Sequence, residues 1–427
     1  MDINLLYGKK ELALNLPDYI NVREINKHPM PVLANGRKAI QDAFIDPIQC
    51  PSLPDLARGK KSVCILICDI TRPVPNGLIL PPLVKTLIDA GIDRDNILIL
   101  VATGLHRPNE GEELRELVGS DEIFNTIRIE NHFARDREAH VDLGITAQGI
   151  PVGIDKRFID ADLRIVTGLV EPHFMAGYSG GRKVVAPGVA YQDTILKFHT
   201  AHILEHQNSE NCILEGNPLH QAQLEIIRTI GDIYAVNVVI DEKRRLGLVT
   251  FGAIEASHIE AVNFLKEYAE INIRRKFKTV VTSAGGYPLD KTYYQTVKGM
   301  VGPMSILEPG GTIIIASECS EGMGSSEFIS AQKMLCRHGS DKFMEILKGR
   351  SKALIDEWQT EMLLKPLRQG SVKLYTTGLT EEQLGQTYVE YAPSLEEAII
   401  ATVSKQGDND IAVIPEGPYV IPHYRNN

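Results

Sequence analysis

Runs of apolar, β-branched residues alternate with helical patterns along most of the 427-residue chain. Residues 62–70 predict a buried strand, residues 78–91 a helix and residues 96–104 the next strand. A strand–helix–strand unit of this kind places its two strands parallel in one sheet. Further strands are predicted at 126–132, 163–170 and 234–241, and further helices at 218–231 and 256–275. The pattern therefore predicts an α/β fold.

A second series of strands and helices begins after the charged helix that ends near residue 275. Its strands are predicted at 278–286, 311–318 and 372–378, and a last strand lies within 410–424. Chain ends in α/β proteins often pack back onto a neighbouring sheet, so the tail is assigned to the first domain. We predict two α/β domains with mostly parallel sheets and the active site in the cleft between them. Residues 1–274 with 396–427 form the N-terminal, cofactor-binding domain, and residues 275–395 form the smaller C-terminal domain.

Composition narrows the function classes. A hydrophobic content of 43 % and a charged content of 23 % are typical of a soluble globular protein. The net charge of -10 argues against a nucleic-acid partner, which requires a basic face. The chain has no run of 18 apolar residues and no signal-peptide pattern at its start, so we expect a cytoplasmic protein without a membrane partner. Its six cysteines form no disulfide framework and are interpreted as packing residues.

Ligands of parallel sheets bind where the strands end, and four predicted strand ends carry unusual polar residues. These loops span 69–73, 103–108, 171–173 and 285–290. Taken singly, Asp69 and Thr71 would cap a turn, and His106 would satisfy a loop carbonyl. Taken together, the four loops and the segments that follow them carry Arg, His, His and Lys. This convergence predicts a site for a small anion.

A glycine-rich segment, EPHFMAGYSGGRKVVAPG, follows the third of these strands at 171–188. It does not match a phosphate-binding P-loop, because Val184 stands after Lys183 where Ser or Thr would bind magnesium. It does not match a dinucleotide-binding fingerprint either. Glycine backbone N–H groups, here those of Gly180 and Gly181, can still approach a phosphate. The segment therefore predicts phosphate binding without an NTPase.

The stretch HTAHILEH supplies a candidate metal site. In a helix, His199, His202 and His206 would lie along one face, as metal-binding histidines do. A zinc site would need a further ligand, for which His173 is the candidate. The alternative is a polar helix face on which one histidine, or none, binds an ion. The spacing leaves both interpretations open.

The segment DKTYYQTVKG predicts a helix that is N-capped by Asp290. Tyr294 and Lys298 would share one face of this helix, with Gln295 at its border. Such a helix is either a solvated surface or, given its place after a strand end, a wall of the cleft. The single tryptophan, Trp358, lies in a stretch that also reads as an amphipathic helix.

Together these motifs resemble the nickel-dependent lactate racemase family, and the resemblance covers nearly the whole chain. It is carried by DITRP at 69–73, TGLHR at 103–107, EPHFMAGYSGGRK at 171–183, the His199 segment, and the helix with Tyr294, Gln295 and Lys298. The resemblance implies a nickel-pincer cofactor, a pyridinium thioamide thiocarboxylic acid mononucleotide tethered to Lys183. It also implies that His199 binds the nickel, with His202 and His206 left as structural residues. Other enzymes would have to synthesise this cofactor.

The resemblance also implies an activity and a role for each motif. The chain would interconvert D- and L-lactate by reversible hydride transfer from the substrate α-carbon to the cofactor, through a transient 2-keto acid. Two bases are needed because the two enantiomers present their hydroxyls in different directions. The implied roles are His106 and His173 as bases, Arg72 and Lys298 on the substrate carboxylate, Tyr294 and Gln295 as hydrogen-bond partners of the substrate, Trp358 as a pocket wall, and Asp69, Thr71, Gly180 and Gly181 on the nucleotide.

Three alternatives stay open. A relative of this family could racemise or epimerise a larger 2-hydroxy acid by the same mechanism. A zinc-dependent hydrolase would use His173, His199 and His202. A non-catalytic nucleotide-binding protein would use the glycine-rich segment alone.

Overall fold

A computed structural model of the chain describes residues 3–425. The strands are β1 Ile3–Tyr7, β2 Lys10–Leu14, β3 Asn21–Glu24, β4 Val63–Cys68, β5 Ile97–Ala102, β6 Arg128–Asn131, β7 His140–Ile145, β8 Pro151–Asp155, β9 Leu163–Leu169, β10 Pro172–His173, β11 Gly177–Tyr178, β12 Tyr234–Ile240, β13 Leu246–Ala253, β14 Glu270–Ile273, β15 Phe277–Ser283, β16 Leu307–Ala316, β17 Ser371–Tyr375, β18 Glu390–Tyr391, β19 Asp410–Ile414 and β20 Ile421–Tyr424. The helices are α1 Gly36–Ile45, α2 Leu53–Ala57, α3 Asn76–Asp89, α4 Gly111–Val118, α5 Asp121–Thr126, α6 Lys156–Ile159, α7 Arg182–Val185, α8 Gln192–Phe198, α9 Ala201–Leu204, α10 Pro218–Ile230, α11 Ile254–Ala269, α12 Tyr293–Val301, α13 Ser326–Lys348, α14 Glu357–Gln369, α15 Glu381–Leu384 and α16 Leu395–Gln406. Within residues 3–425, no helix combines the length and the apolar character needed to cross a bilayer.

The chain divides into two compact units. The first unit consists of Pro29–Phe198 and Ile213–Glu267. Its six-stranded sheet has the order β13-β12-β9-β4-β5-β6, and every neighbouring pair is parallel except β12 with β13. The central strand β4 is buried almost throughout, as its apolar sequence VCILIC predicts for a strand covered on both faces. Each such side chain contributes about 1.5–3 kcal/mol through burial.

The second unit consists of Met1–His28, His199–Cys212 and Tyr268–Asn427. Its sheet, in the order β18-β17-β16-β15-β19-β3, is parallel throughout its described pairs. The prediction of two α/β arrangements with mostly parallel sheets is therefore confirmed. The assignment of the tail 396–427 to the N-terminal domain is wrong, because β19 pairs directly with β15 in the second sheet. The apolar sequence of this segment predicts a buried strand, but it does not indicate which of the two sheets the strand joins.

The first residues of the chain also belong to the second unit rather than to a domain spanning 1–274. Strand β3 extends the second sheet beyond β19, and β1 pairs with β2 in an antiparallel hairpin. Neither was expected, because these strands are short and mostly polar on one face. The hairpin is anchored at strand ends of the second sheet, where the Leu6 N–H donates to Pro415 O at 3.1 Å and the Tyr287 N–H donates to Gly8 O at 2.7 Å.

Two further details differ from the sequence prediction. The helix expected at 256–275 ends at Ala269, and the chain continues as β14, which pairs with β20. The N-cap of α12 is Thr292, whose hydroxyl accepts from the Gln295 N–H, and not Asp290. The buried Asp290 carboxylate instead accepts from the Gly8 N–H at 2.6 Å, so this strand-end loop at 285–290 binds the N-terminal hairpin.

Candidate functional site

Three neighbouring strands of the first sheet bring predicted site residues to one edge. Strands β9, β4 and β5 lie side by side and run parallel. Their carboxyl ends lead into the segments 69–72, 103–106 and 171–173. The polar side chains predicted in these loops therefore lie at the same end of the sheet, the end where parallel sheets bind ligands.

His106 and Asp69 form a hydrogen-bonded pair. His106 Nδ1 lies 2.6 Å from Asp69 Oδ2, while Asp69 Oδ1 accepts from the Thr71 hydroxyl at 2.5 Å. Burial acts to raise the pKa of Asp69, but the hydrogen bonds from His106 and Thr71 and the nearby Arg72 charge lower it below its ordinary value. The ionised carboxylate accepts a hydrogen bond from the Nδ1–H group of His106. Since the neutral ring then has its lone pair on Nε2, that atom is set up as a base.

The same contacts bear on the nucleotide role predicted for Asp69 and Thr71. Both carboxylate oxygens of Asp69 accept hydrogen bonds from protein groups, and Thr71 donates to Asp69 through its N–H as well as its hydroxyl. In this structure the two residues orient His106. A direct role in binding the nucleotide stays a prediction.

His173 lies in the small β10–β11 hairpin, and its contacts favour a different tautomer of the ring from that of His106. Its Nδ1 faces the backbone N–H groups of Met175 and Ala176, each at 3.2 Å. Because Nδ1 accepts these bonds, the neutral ring carries its proton on Nε2. His106 and His173 are thus held in opposite tautomers, a difference that their spacing in the sequence does not reveal.

Arg72 forms an ion pair with Glu171. Both side chains are partly buried, with exposed fractions of 26 % and 19 %. Sequence reasoning quoted Glu171 as part of a motif but gave it no role. Here its carboxylate binds the guanidinium group of Arg72. Binding of a substrate carboxylate by Arg72 stays a prediction.

The glycine-rich loop packs tightly against the first sheet. Gly180 and Gly181 have φ values of +81° and +47°, which favour glycine. A Cβ added to Gly168 on β9 would lie 2.8 Å from Gly181 N, so two backbone segments touch here. The Gly181 N–H donates to the Asn237 side chain at 2.9 Å. Phosphate binding by this N–H stays a prediction. It requires that the hydrogen bond between Gly181 and Asn237 breaks.

Lys183 and Arg182 occupy the short helix α7 that follows this loop. Lys183 is partly exposed, whereas Arg182 is only 1 % exposed. Arg182 donates to the carbonyls of Ala176 and Tyr178 at 3.0 and 3.2 Å, and burial lowers its pKa to about 9. Sequence reasoning missed this residue. Its hydrogen bonds stabilise the hairpin that contains His173. The sequence could not predict this role, because an arginine beside glycines has no hydrophobic periodicity that indicates burial.

The second unit gathers another group of predicted residues. His199 stacks on Trp358 with ring centroids 4.2 Å apart and an interplanar angle of 30°. The Trp358 indole N–H donates to the Tyr294 hydroxyl at 3.2 Å. Gln295 and Lys298 lie on the same helix as Tyr294. The side-chain oxygen of Gln295 is buried and has no hydrogen-bond partner among residues 3–425.

The predicted helix through His199, His202 and His206 does not form. Helix α8 ends at Phe198 and α9 spans only Ala201–Leu204. His199 lies in the turn between them, so the three histidines do not share a helix face. This removes the helical pair on which the zinc interpretation depended. The prediction failed because spacing alone cannot reveal the break at Thr200.

The chain is similar to lactate racemases over nearly its full length. Residues 7–211 match the family model "Lactate racemase N-terminal domain" and residues 274–421 match "Lactate racemase C-terminal domain". A lactate racemase of Thermoanaerobacterium thermosaccharolyticum is 33 % identical over 424 residues, which is 98 % of this chain and 99 % of the relative. One from Lactiplantibacillus plantarum is 32 % identical over 388 residues, or 90 % of each chain.

Solved structures agree with this similarity. The lactate racemase apoprotein from T. thermosaccharolyticum matches with a TM-score of 0.91 at 31 % identity, covering 100 % of both chains. A Thermotoga maritima protein matches with a TM-score of 0.70 at 17 % identity, covering 93 % of this chain and 100 % of that one. The second likeness shows a shared fold alone.

Proposed function

Because the chain belongs to the lactate racemase family, we propose that it interconverts D- and L-lactate with a nickel-pincer nucleotide as its cofactor. It is an isomerase of the racemase class. The observation that carries the proposal is the hydrogen-bonded Asp69–His106 pair at the strand ends, within a chain that resembles lactate racemases along nearly its whole length.

The donor groups of this chain fit such a cofactor. His199 offers an imidazole, a common nickel ligand, and its stacking on Trp358 limits the ring's rotation. Lys183, a partly exposed residue, offers a side-chain amine for the tether. The buried, unsatisfied oxygen of Gln295 is an acceptor suited to a hydroxyl or an amide of a bound molecule. We assign the tether to Lys183 and the metal ligand to His199. When bound, the cofactor supplies the capacity to accept and return a hydride.

In this scheme, His106 removes the hydroxyl proton of the substrate at Nε2. Asp69 keeps the Nδ1 proton in place and stabilises the imidazolium that forms. A carbanion beside the carboxylate is avoided because the α-hydrogen leaves as a hydride while His106 takes only the hydroxyl proton. Asp69 is therefore a positioning residue, and His106 is a catalytic one.

His173 begins the reaction as the other tautomer, with its proton on Nε2. Its Nε2–H can donate a hydrogen bond to the substrate oxygen, but the ring cannot act as a base at Nε2 while Nδ1 accepts the N–H groups of Met175 and Ala176. We propose that His173 serves as a base only after the β10–β11 hairpin releases Nδ1. The two directions of racemisation then differ in the conformational step they need.

Arg72 binds the substrate carboxylate in this proposal, in exchange for Glu171. A bidentate pair with a small carboxylate would replace the protein's own ion pair, so little new charge is buried. Lys298 adds a second positive charge, and Tyr294 and Gln295 contribute hydrogen bonds.

The decisive experiment is intact-mass analysis with metal quantitation on protein from its native host, combined with an assay of D- and L-lactate. Other enzymes of that host must supply the cofactor. We expect a covalent adduct that is absent from Lys183→Ala, one nickel per adduct, and interconversion of the two enantiomers. An adduct retained in Lys183→Ala would refute the tether. Zinc that is lost in His199→Ala, found without an adduct, would favour the hydrolase, and a bound nucleotide without turnover would favour the binding protein.

Substrate size is tested separately, because a relative acting on a larger 2-hydroxy acid would use the same cofactor. Lactate and longer 2-hydroxy acids are compared by kcat/KM on the loaded protein. One additional methylene changes discrimination by about 1–3 kcal/mol in an apolar pocket. A preference for the longer acids would refute lactate as the substrate while leaving the chemistry intact.

A further inference from the structure

A thiol, an imidazole and a carboxylate meet in the second unit, outside the groups described above. Cys212 ends the stretch His199–Cys212, Glu270 is the first residue of β14, and His423 is the third residue of β20. Their ligand atoms all lie within 4.8 Å of one another. Among residues 3–425, this is the one group of three or more such side chains with that spacing.

The pairing of β14 with β20 sets the geometry of two members. Glu270 is opposite Ile421 and Asn272 is opposite His423, so His423 lies two residues beyond the partner of Glu270, on the same face of the parallel ladder. His423 Nε2 and Glu270 Oε2 are 3.6 Å apart. That distance exceeds a normal hydrogen bond. It is close to the separation of roughly 3.3–3.6 Å expected for two ligands of one tetrahedral zinc ion with typical bond lengths.

Cys212 has a backbone conformation that residues other than glycine rarely adopt. Its φ is +64°, in the left-handed region, where a non-glycine residue costs about 1–3 kcal/mol. The thiol belongs to a residue that is 8 % exposed, whereas the side chains of Glu270 and His423 are 15 % and 25 % exposed. The Cys212 sulfur is therefore shielded from solvent, and an ion would enter the group from the side of Glu270 and His423.

We propose that Cys212, Glu270 and His423 bind a divalent cation of the zinc type, with water in the fourth position. Thiolate, imidazole and carboxylate together suit zinc better than magnesium or calcium, which select oxygen ligands. On binding, the Cys212 thiol loses its proton to solvent and the thiolate bonds to the metal. The ion joins the end of the stretch that begins at His199 to the β14–β20 pair. The proposal does not depend on the racemase function.

The test uses the full chain, treated with a chelator, dialysed and titrated with Co²⁺ as a spectroscopic substitute for zinc. We expect one cobalt with a thiolate-to-cobalt charge-transfer band and the visible bands of a tetrahedral ion. Cys336→Ser, which removes an exposed thiol, is the matched control and should keep the band. Cys212→Ser should lose it and bind cobalt at least about tenfold more weakly.

Two further variants keep the test decisive. His423→Gln should also lose tight binding, and it replaces Cys212→Ser if that protein does not fold, as judged by Trp358 fluorescence. His199→Ala should keep the thiolate band, because the proposed nickel ligand lies elsewhere. Absence of the band in the unmodified chain, its persistence in Cys212→Ser or His423→Gln, or its loss in His199→Ala would each overturn the proposal.

Discussion

Glu361 provides a sharp test of the electrostatics inside the second unit. It lies on α14 and is 1 % exposed, and burial, reinforced by the Glu205 charge, raises its pKa from 4.5 to about 8. Below pH 4.5 the carboxyl is protonated in both the folded and the unfolded chain. Above that, the unfolded chain loses the proton first, and the free energy of unfolding falls by about 1.36 kcal/mol per pH unit. The loss ends near pH 8, where the folded protein also ionises.

The magnitude follows from the two pKa values. The interval from 4.5 to about 8 is 3.5 units, which corresponds to a total of about 5 kcal/mol. Near pH 7 about 70 % of this, about 3 kcal/mol, is already lost. Glu361→Gln has nearly the same shape and cannot ionise. We therefore expect the variant to match the wild type near pH 4.5 and to exceed its stability by about 3 kcal/mol near pH 7.

Denaturant unfolding measures this difference. Trp358, the single tryptophan of the chain, lies on the same helix as Glu361, so its fluorescence reports the unfolding of that region. Wild type and Glu361→Gln are compared near pH 5, near pH 7 and near pH 9. Glu382→Gln, at an exposed position, is the control and should show no such trend. A stability difference that stays constant with pH would refute the reasoning.

Three other predictions follow from the site geometry. Asp69→Asn should lower kcat by roughly 100-fold or more, because an amide no longer fixes the tautomer of His106; the adduct mass should be unchanged, and normal turnover would contradict the role. Gly168→Ala should displace the glycine-rich loop, since its Cβ would lie 2.8 Å from backbone nitrogen, and a lowered melting temperature measured by calorimetry checks this. Trp358→Leu should weaken nickel retention by roughly fivefold through the loss of about 1 kcal/mol of stacking on His199, as measured by metal analysis after dialysis.

Much of the fold could be predicted because buried parallel strands have a strong apolar signal. The run at 62–70 and the run at 96–104 appear as β4 and β5 at nearly the expected positions. Strand partners could not be predicted in the same way. The tail strand β19 has the same apolar character as any buried strand, and only tertiary packing places it beside β15. Short strands such as β3 carry too few apolar residues to be recognised.

In the candidate site, too, some features could be predicted from the sequence and others could not. Residue types and strand ends were enough to single out Asp69, His106 and His173. The contacts that decide their chemistry, such as the bonds to Nδ1 of each histidine, depend on atoms of backbone and side chains that no spacing encodes. The prediction of one helix through the three histidines was wrong for a simpler reason. The turn between α8 and α9 breaks the helical periodicity, so residues on either side of it no longer lie on one helix face.

The pairing of β3 with β19 also has a consequence for the order of events during synthesis. Glu24 pairs with Val413 and Asn21 with Asp410, so nearly 390 residues separate the partners. At about 5–20 residues per second, a ribosome needs roughly 20–80 s to make the second strand after the first. During that interval the N-terminal strand lacks β19, the strand with which it pairs. We expect the second unit to complete its sheet only after residues 410–414 have been synthesised, whereas the long middle stretch of the first unit can fold earlier.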